Sequence, residues 1–360
     1  MAIPLFDSAT PLEPLRAQLR EAVERVLDSG RFILGPEVEA FEREFAEHLG
    51  TRHAIGVANG TDALTIALRA MGVGPGDDVV VPSFTFYATA EAVPHSGANA
   101  VFADVDPDTM LLTAETVRAA LTPRTKAVIA VHLFGNVADI AAIEALGVPV
   151  LEDAAQAAGS LAPGGARPGS LGTASTFSFY PSKNLPAFGD GGTIATSDDE
   201  VARRARLLRF HGSTDKEHFE VVGYNSRLDA IQAAILRVLL PHLDGWATAR
   251  EAVAAAYGAA GLGDHVTLPA TAVGARTAWH LYVVRTPEPD ALAAALAAQG
   301  IESRGYYRVP LHRQSALRSD AALPHTDAAA ATNLALPMGP ALSDEQVGAV
   351  VAAVRQTLAG

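Results

Sequence analysis

Apolar residues in this chain recur in short runs. They fall near positions 54–58, 78–81, 99–103, 126–131, 148–152, 174–179 and 192–196. Each run is strand-sized, and most are separated by stretches of helical period. That alternation predicts a largely parallel sheet with both faces covered by helices. Before the first run, Thr10-Pro11 opens a helix that Ser29-Gly30 closes, and a second helix runs over 36–49 with Gly50 as its stop. A helix-rich passage begins near Leu228 and is broken or kinked at Pro241. It leads to a smaller unit with a strand at 281–284 and an alanine-rich helix at 290–299. The expected architecture is α/β, with a large domain over 1–240, including the N-terminal helices, and a small α/β domain over 241–360.

Composition narrows the class. The chain has 360 residues, 49% of them apolar, enough for a large core. It has no cysteine, which excludes disulfides and thiolate metal sites. Its formal charge of −13 argues against nucleic-acid binding. No long apolar window is present, and MAIPLFDSAT lacks a basic segment ahead of an apolar one, so the expectation is a cytoplasmic protein off the membrane. None of the eleven histidines shows HExxH spacing, and no metal is expected. Arg203, Arg204, Arg206 and Arg209 spread over more than one helix face and read as solvated surface rather than as a diphosphate site.

Three segments carry candidate chemistry. In TFSFYPSKNLPAFGDGG (176–192), Lys183 follows a buried strand and precedes a glycine-rich turn. It reads either as a snorkelling lysine or as an amine of depressed pKa that forms a Schiff base. In VPVLEDAAQAAG (148–159), Asp153 ends an apolar strand, either as a helix cap or as a carboxylate paired with a pyridine nitrogen. In IGVANGTDALTIAL (55–68), a strand turns through Asn59-Gly60 into a helix start bearing Thr61 and Asp62. This is ordinary capping or a phosphate site.

Together these segments resemble the nucleotide-sugar aminotransferases of the DegT/StrS family, pyridoxal 5'-phosphate enzymes of fold type I. The resemblance runs nearly end to end, through DSGRFILGPEVEAFEREFAEHLG (28–50), GVANGTDAL (56–64), VVVPSFTFYATAEAV (79–93), FADVDPDT (102–109), VHLFGN (131–136), LEDAAQAAGS (151–160), FSFYPSKNLPAFGDGG (177–192), GYNSRLDAIQAAIL (223–236) and VPLHRQSAL (309–317). FSFYPSKN together with GYNSRLDAIQAA is specific to the family.

The resemblance implies that Lys183 holds the cofactor covalently and shuttles a proton, and that Asp153 keeps the pyridine nitrogen protonated. Gln156 would bond the phenolic oxygen, and Phe86 would stack on the ring. Gly60, Thr61, the Asp62 backbone and Ser178 would hold the phosphate, completed by Asn225 from a neighbouring subunit, so a homodimer is the implied active form. Tyr307 and His312 lie where the family places substrate-facing residues, with packing as the alternative for both. The implied substrates are L-glutamate and a nucleotide-linked ketosugar. The GDGG after the lysine leans toward a C3 ketone on a thymidine-linked 6-deoxyhexose, with C4 or a uridine carrier as alternatives. Pro186 stands where many relatives have glycine, which stiffens the lysine loop. The rivals are a dehydratase, which Lys183 counts against, a cyclitol transaminase, and a non-catalytic regulator or scaffold that keeps the fold.

Overall fold

The computed structural model describes residues 2–358; residue 1 and residues 359–360, the outer ends of the expected domain division, lie outside it. Seven strands form the main sheet: β1 (His53–Val57), β2 (Asp78–Pro82), β3 (Asn99–Ala103), β4 (Thr125–Val131), β5 (Val150–Asp153), β6 (Ala174–Ser178) and β7 (Gly192–Thr196). Their order is β1-β7-β6-β5-β4-β2-β3. β7 is antiparallel to both neighbours, β1 and β6, and every other pairing is parallel. Six strands therefore share one direction. The carboxyl ends of β1, β2, β5 and β6 and the start of β7 meet at one edge, where open α/β sheets bind ligands.

Strand alternation builds a core on each face. Val79, Val81, Ile129 and Leu151 pack in one layer with the helices Gly60–Ala70, Tyr87–Ser96 and Asp199–Arg209. Val80, Val128, Ala130 and Val150 face the other, toward Leu133, Ile140 and Leu281. Phe41, Phe45, Phe177 and Phe179 form a third cluster of edge-on and stacked rings, against the helix Pro36–Leu49 and the helix Ala230–Leu239. Pro241 lies in a 3-10 turn (Leu240–His242), and beyond it come the helix Leu243–Ala259 and an antiparallel pair, β8 (Tyr282–Arg285) with β9 (Asn333–Leu336). The first residues cross to this part of the molecule, for Ile3 bridges Ile301 and its N–H donates to the Gly300 carbonyl at 2.9 Å.

Two local expectations are corrected. The stretch from Thr10 to Ser29 is not one α-helix: Thr10–Leu15 is 3-10, with Pro11 and Pro14 inside it, and the α-helix begins at Arg16. Proline has no N–H to give to an α-helical ladder, so the first turns stay tight. Arg209 is not a solvated cation. It is 11% exposed, is ion-paired to Glu42, and donates to the Gly56 carbonyl at 2.8 Å, tying the end of its helix to β1. Arg203 does remain on the surface, paired with Glu200. Among the described residues no helix is long and apolar enough to cross a membrane, and no cluster of acidic and histidine side chains could hold a metal ion.

Candidate active site

The sheet edge opens into a cavity of about 890 Å³. Its first corner is the turn after β1. Asn59 is extended, and its side chain accepts the Asp62 N–H at 2.8 Å, capping the helix Gly60–Ala70. The N–H groups of Gly60 and Thr61 sit in the first turn, where a helix supplies no carbonyl partner. That leaves them, with the positive end of the dipole, for an anion. Gly60 has to be glycine: a Cβ there would lie 2.7 Å from the Ser178 Cβ at the end of β6. A Cβ on Gly192, at the start of β7, would likewise run into the Asn59 carbonyl. Thr61 and Ser178 line this corner of the cavity. Asp62 does not, and its N–H is already used by the cap.

The second corner is the end of β5, where alternation sends the two carboxylates of the LED run to opposite faces. Glu152 is completely buried and fully satisfied, accepting N–H bonds from Gly169 at 2.8 Å, Leu171 at 2.9 Å and Gly172 at 2.8 Å. It also pairs with His132 Nε2 at 2.8 Å; the His132 Nδ1 accepts from Ala138 N–H, which places the proton on Nε2. Asp153 lines the cavity and is 6% exposed. Thr89 donates its hydroxyl to the Asp153 Oδ2 at 2.8 Å, and the Ala155 N–H reaches Oδ1 at 3.2 Å. Thr85 Oγ1 lies 3.2 Å from Thr89 Oγ1 behind them. Burial raises the Asp153 pKa, and these donors together with the charge of Lys183 oppose the rise.

Lys183 lies between the corners. Its loop leaves β6 and returns to β7, pinned by Phe179 N–H to Gly191 carbonyl at 2.8 Å, Ala187 N–H to Phe179 carbonyl at 2.7 Å, and the buried Leu185 and Ala187. Burial pushes the Lys183 ammonium down to about 8, opposed only by the negative charge of Asp153. The following residue, Asn184, donates to the Ala278 carbonyl at 2.9 Å and accepts from His280 Nδ1 at 3.2 Å. His280 also lines the cavity. Burial and the nearby Lys183 and Arg250 hold it well below the usual histidine range, so it is neutral.

Aromatic and amide groups form the remaining wall. Gln156 accepts from Phe134 N–H at 2.7 Å and donates to the Tyr307 hydroxyl at 3.1 Å, leaving one amide hydrogen free among the described residues. Tyr307 stacks on Phe134 with centroids 6.4 Å apart. Phe86 stands at the mouth, 55% exposed and 6.0 Å from the Tyr307 ring. Two expected residues lie elsewhere. His312 is fully buried, its Nδ1 2.6 Å from Ser83 Oγ, so the geometry supports its packing alternative: it ties the end of β2 to the segment after Tyr307. Asn225 is exposed, is bridged to Phe210, and does not line the cavity of its own chain.

Comparison with known proteins places this arrangement. The sequence matches the DegT/DnrJ/EryC1/StrS aminotransferase family over residues 14–355. The chain belongs to that family. A DegT-family relative from Streptomyces venezuelae, named dTDP-3-amino-3,4,6-trideoxy-alpha-D-glucose transaminase, is 46% identical over 98% of this chain and 96% of its own. Another, from Geobacillus stearothermophilus and named a pleiotropic regulatory protein, is 45% identical over 98% of this chain and 97% of its own. Among solved family structures, S. venezuelae DesV in complex with a ketimine intermediate superposes with a TM-score of 0.95 at 45% identity, covering 99% of this chain and 98% of that one. As in the rest of the family, the fold is that of type I aminotransferases, and the chain is an aminotransferase.

Sequence reasoning missed Thr85, Thr89, Asn184 and His280. A faint signal exists for the threonines, which stand four residues apart in an otherwise apolar and aromatic run; Asn184 and His280 carry none.

Proposed function

We propose that this protein is a pyridoxal phosphate-dependent aminotransferase that moves an amino group from L-glutamate to a nucleotide-linked ketosugar. The observation that carries the reading is a single cavity holding the amine of Lys183, the buried carboxylate of Asp153 and the open N–H groups of the Gly60-Thr61 turn. These fit the three ends of pyridoxal phosphate. Lys183 Nζ would hold its aldehyde carbon, Asp153 its pyridine nitrogen, and Gly60, Thr61 and Ser178 its phosphate. When bound, the ring supplies an electron sink for the carbon that loses a proton.

The chain's own groups do the rest. Lys183 Nζ, poised near neutrality, takes the proton from the donor carbon and returns it to the acceptor carbon. Asp153 stays ionised against its burial because a cation would face it. Thr89 fixes that carboxylate, Gln156 offers its free amide hydrogen to the ring oxygen, and Phe86 and Tyr307 narrow the mouth. Asn225, which leaves its own cavity unserved, would complete the phosphate site of a second copy, which is why we propose a homodimer. The name of the S. venezuelae relative, with its 3-amino sugar on a thymidine carrier, supports C3 as the aminated position.

The test is the visible absorbance of the protein mixed with pyridoxal phosphate. The band of a lysine-bound cofactor should appear and then bleach when L-glutamate is added without ketosugar. A spectrum that never forms, or that ignores glutamate, overturns the donor half of the reading. Thr89→Val supplies a finer check. Losing a donor that lowers the Asp153 pKa moves that pKa further up, so the acidic limb of the kcat/KM profile shifts to higher pH, by about one unit for a hydrogen bond to a charged group.

A further inference from the structure

Two cations on the cavity wall have no part in the chemistry above. Arg304 and Arg308 both line the cavity, one on each side of the Tyr306-Tyr307 pair. The backbone on the Arg304 side is fixed. Arg304 exchanges both of its backbone hydrogen bonds with Ala335 of β9, at 3.2 and 2.8 Å, and Tyr306 N–H donates to Asn333 Oδ1 at 2.6 Å. Arg304 lies over the Tyr306 ring, 5.3 Å from its centroid, and forms no ion pair with a carboxylate among the described residues. Arg308 pairs with Asp290 at 3.0 Å, but Asp290 is 94% exposed, and so solvated a pair contributes little and yields to a better anion. Gly305 between them makes room, since a Cβ there would run into the Arg308 side chain.

We infer that Arg304 and Arg308 form a second anion subsite, which takes the diphosphate of the nucleotide-linked acceptor. This rests on the function proposed above. Guanidinium groups match phosphate oxygens two at a time, and two of them suit a group carrying two negative charges. The cavity is thereby anionophilic at two places, the Gly60-Thr61 turn and the arginine wall, with Lys183 also lining it. A ligand gripped at the arginine wall is held by a part remote from the reacting carbon, so binding there orients the sugar carbonyl.

The experiment is titration of the cofactor-loaded protein with thymidine diphosphate, in the wild type and in Arg304→Ala, Arg308→Ala and Gly305→Ala. Each arginine variant should weaken binding by about tenfold or more, as expected for a charge-assisted contact. Gly305→Ala, which displaces Arg308 without removing a charge, should weaken it too, and Arg308→Lys should recover part of the loss. Thymidine diphosphate that binds the wild type and all four variants equally overturns this inference alone. If the wild type binds no nucleoside diphosphate, thymidine or uridine, both the inference and the nucleotide-sugar reading fall. Weakened glutamate saturation in the arginine variants, with thymidine diphosphate binding unchanged, would assign the pair to the donor's carboxylate and overturn the diphosphate assignment.

Discussion

Lys183→Ala is expected to abolish amino transfer, lowering kcat by about 10⁴-fold or more, because one amine serves as both covalent anchor and proton carrier. Fold and chemistry separate cleanly here. Burial depresses the Lys183 pKa from its ordinary 10.5 to about 8. Below about pH 8 the folded chain therefore bears the whole cost of a desolvated ammonium. Between about 8 and 10.5 the unfolded chain binds the extra proton, so this group's contribution makes stability rise with pH across that window. Removing the amine relieves the cost, and the cofactor-free variant should melt no lower than cofactor-free wild type at pH 7. Thermal melts beside single-turnover assays decide the matter. Appreciable turnover in the variant would sink the assignment of Lys183, whereas a collapsed melt would show that the loop from β6 to β7 needs the side chain for folding.

Asp153→Asn should have the next largest effect. The amide keeps the shape: its one oxygen can accept from the Ala155 N–H while its NH2 faces the Thr89 hydroxyl, which can turn to accept, so the protein should fold and take up pyridoxal phosphate. It loses the negative charge. An opposite charge at contact distance commonly shifts a partner's pKa by one to three units, so losing it should lower kcat by about 10²-fold. Near wild-type turnover would show that the pyridine nitrogen does not face this carboxylate.

Much of this was legible in the sequence, for identifiable reasons. The runs at 99–103 and 192–196 coincide with β3 and β7, and the stop at Gly50 is a left-handed cap with φ of 79°. Asp153 stood out because it ends an apolar run, and Lys183 because it follows one, places where a charge has no packing role. β9 was not read: it is four residues long and directly follows the alanine-rich helix Pro324–Thr332, too short for any period to show. Thr89 and His280 were not read because their partners, Asp153 and Asn184, lie 64 and 96 residues away. Local patterning records burial, and it carries no trace of which distant group a buried hydroxyl or imidazole will meet. The same gap explains Arg209, whose partner Glu42 lies 167 residues earlier.

The neighbouring carboxylates of β5 have one more consequence. A side-chain period of two means that sliding β5 by a single residue would turn Asp153 toward the layer of His132 and present Glu152 to the cavity. Glu152 would then forfeit the three amide hydrogens of the 169–172 segment, and those amides would be left without an acceptor inside the protein. Glu152 thus works as a locating pin. It fixes the height of a neighbour it never touches through its side chain, and any chain that folded with the wrong offset would be too unstable to persist.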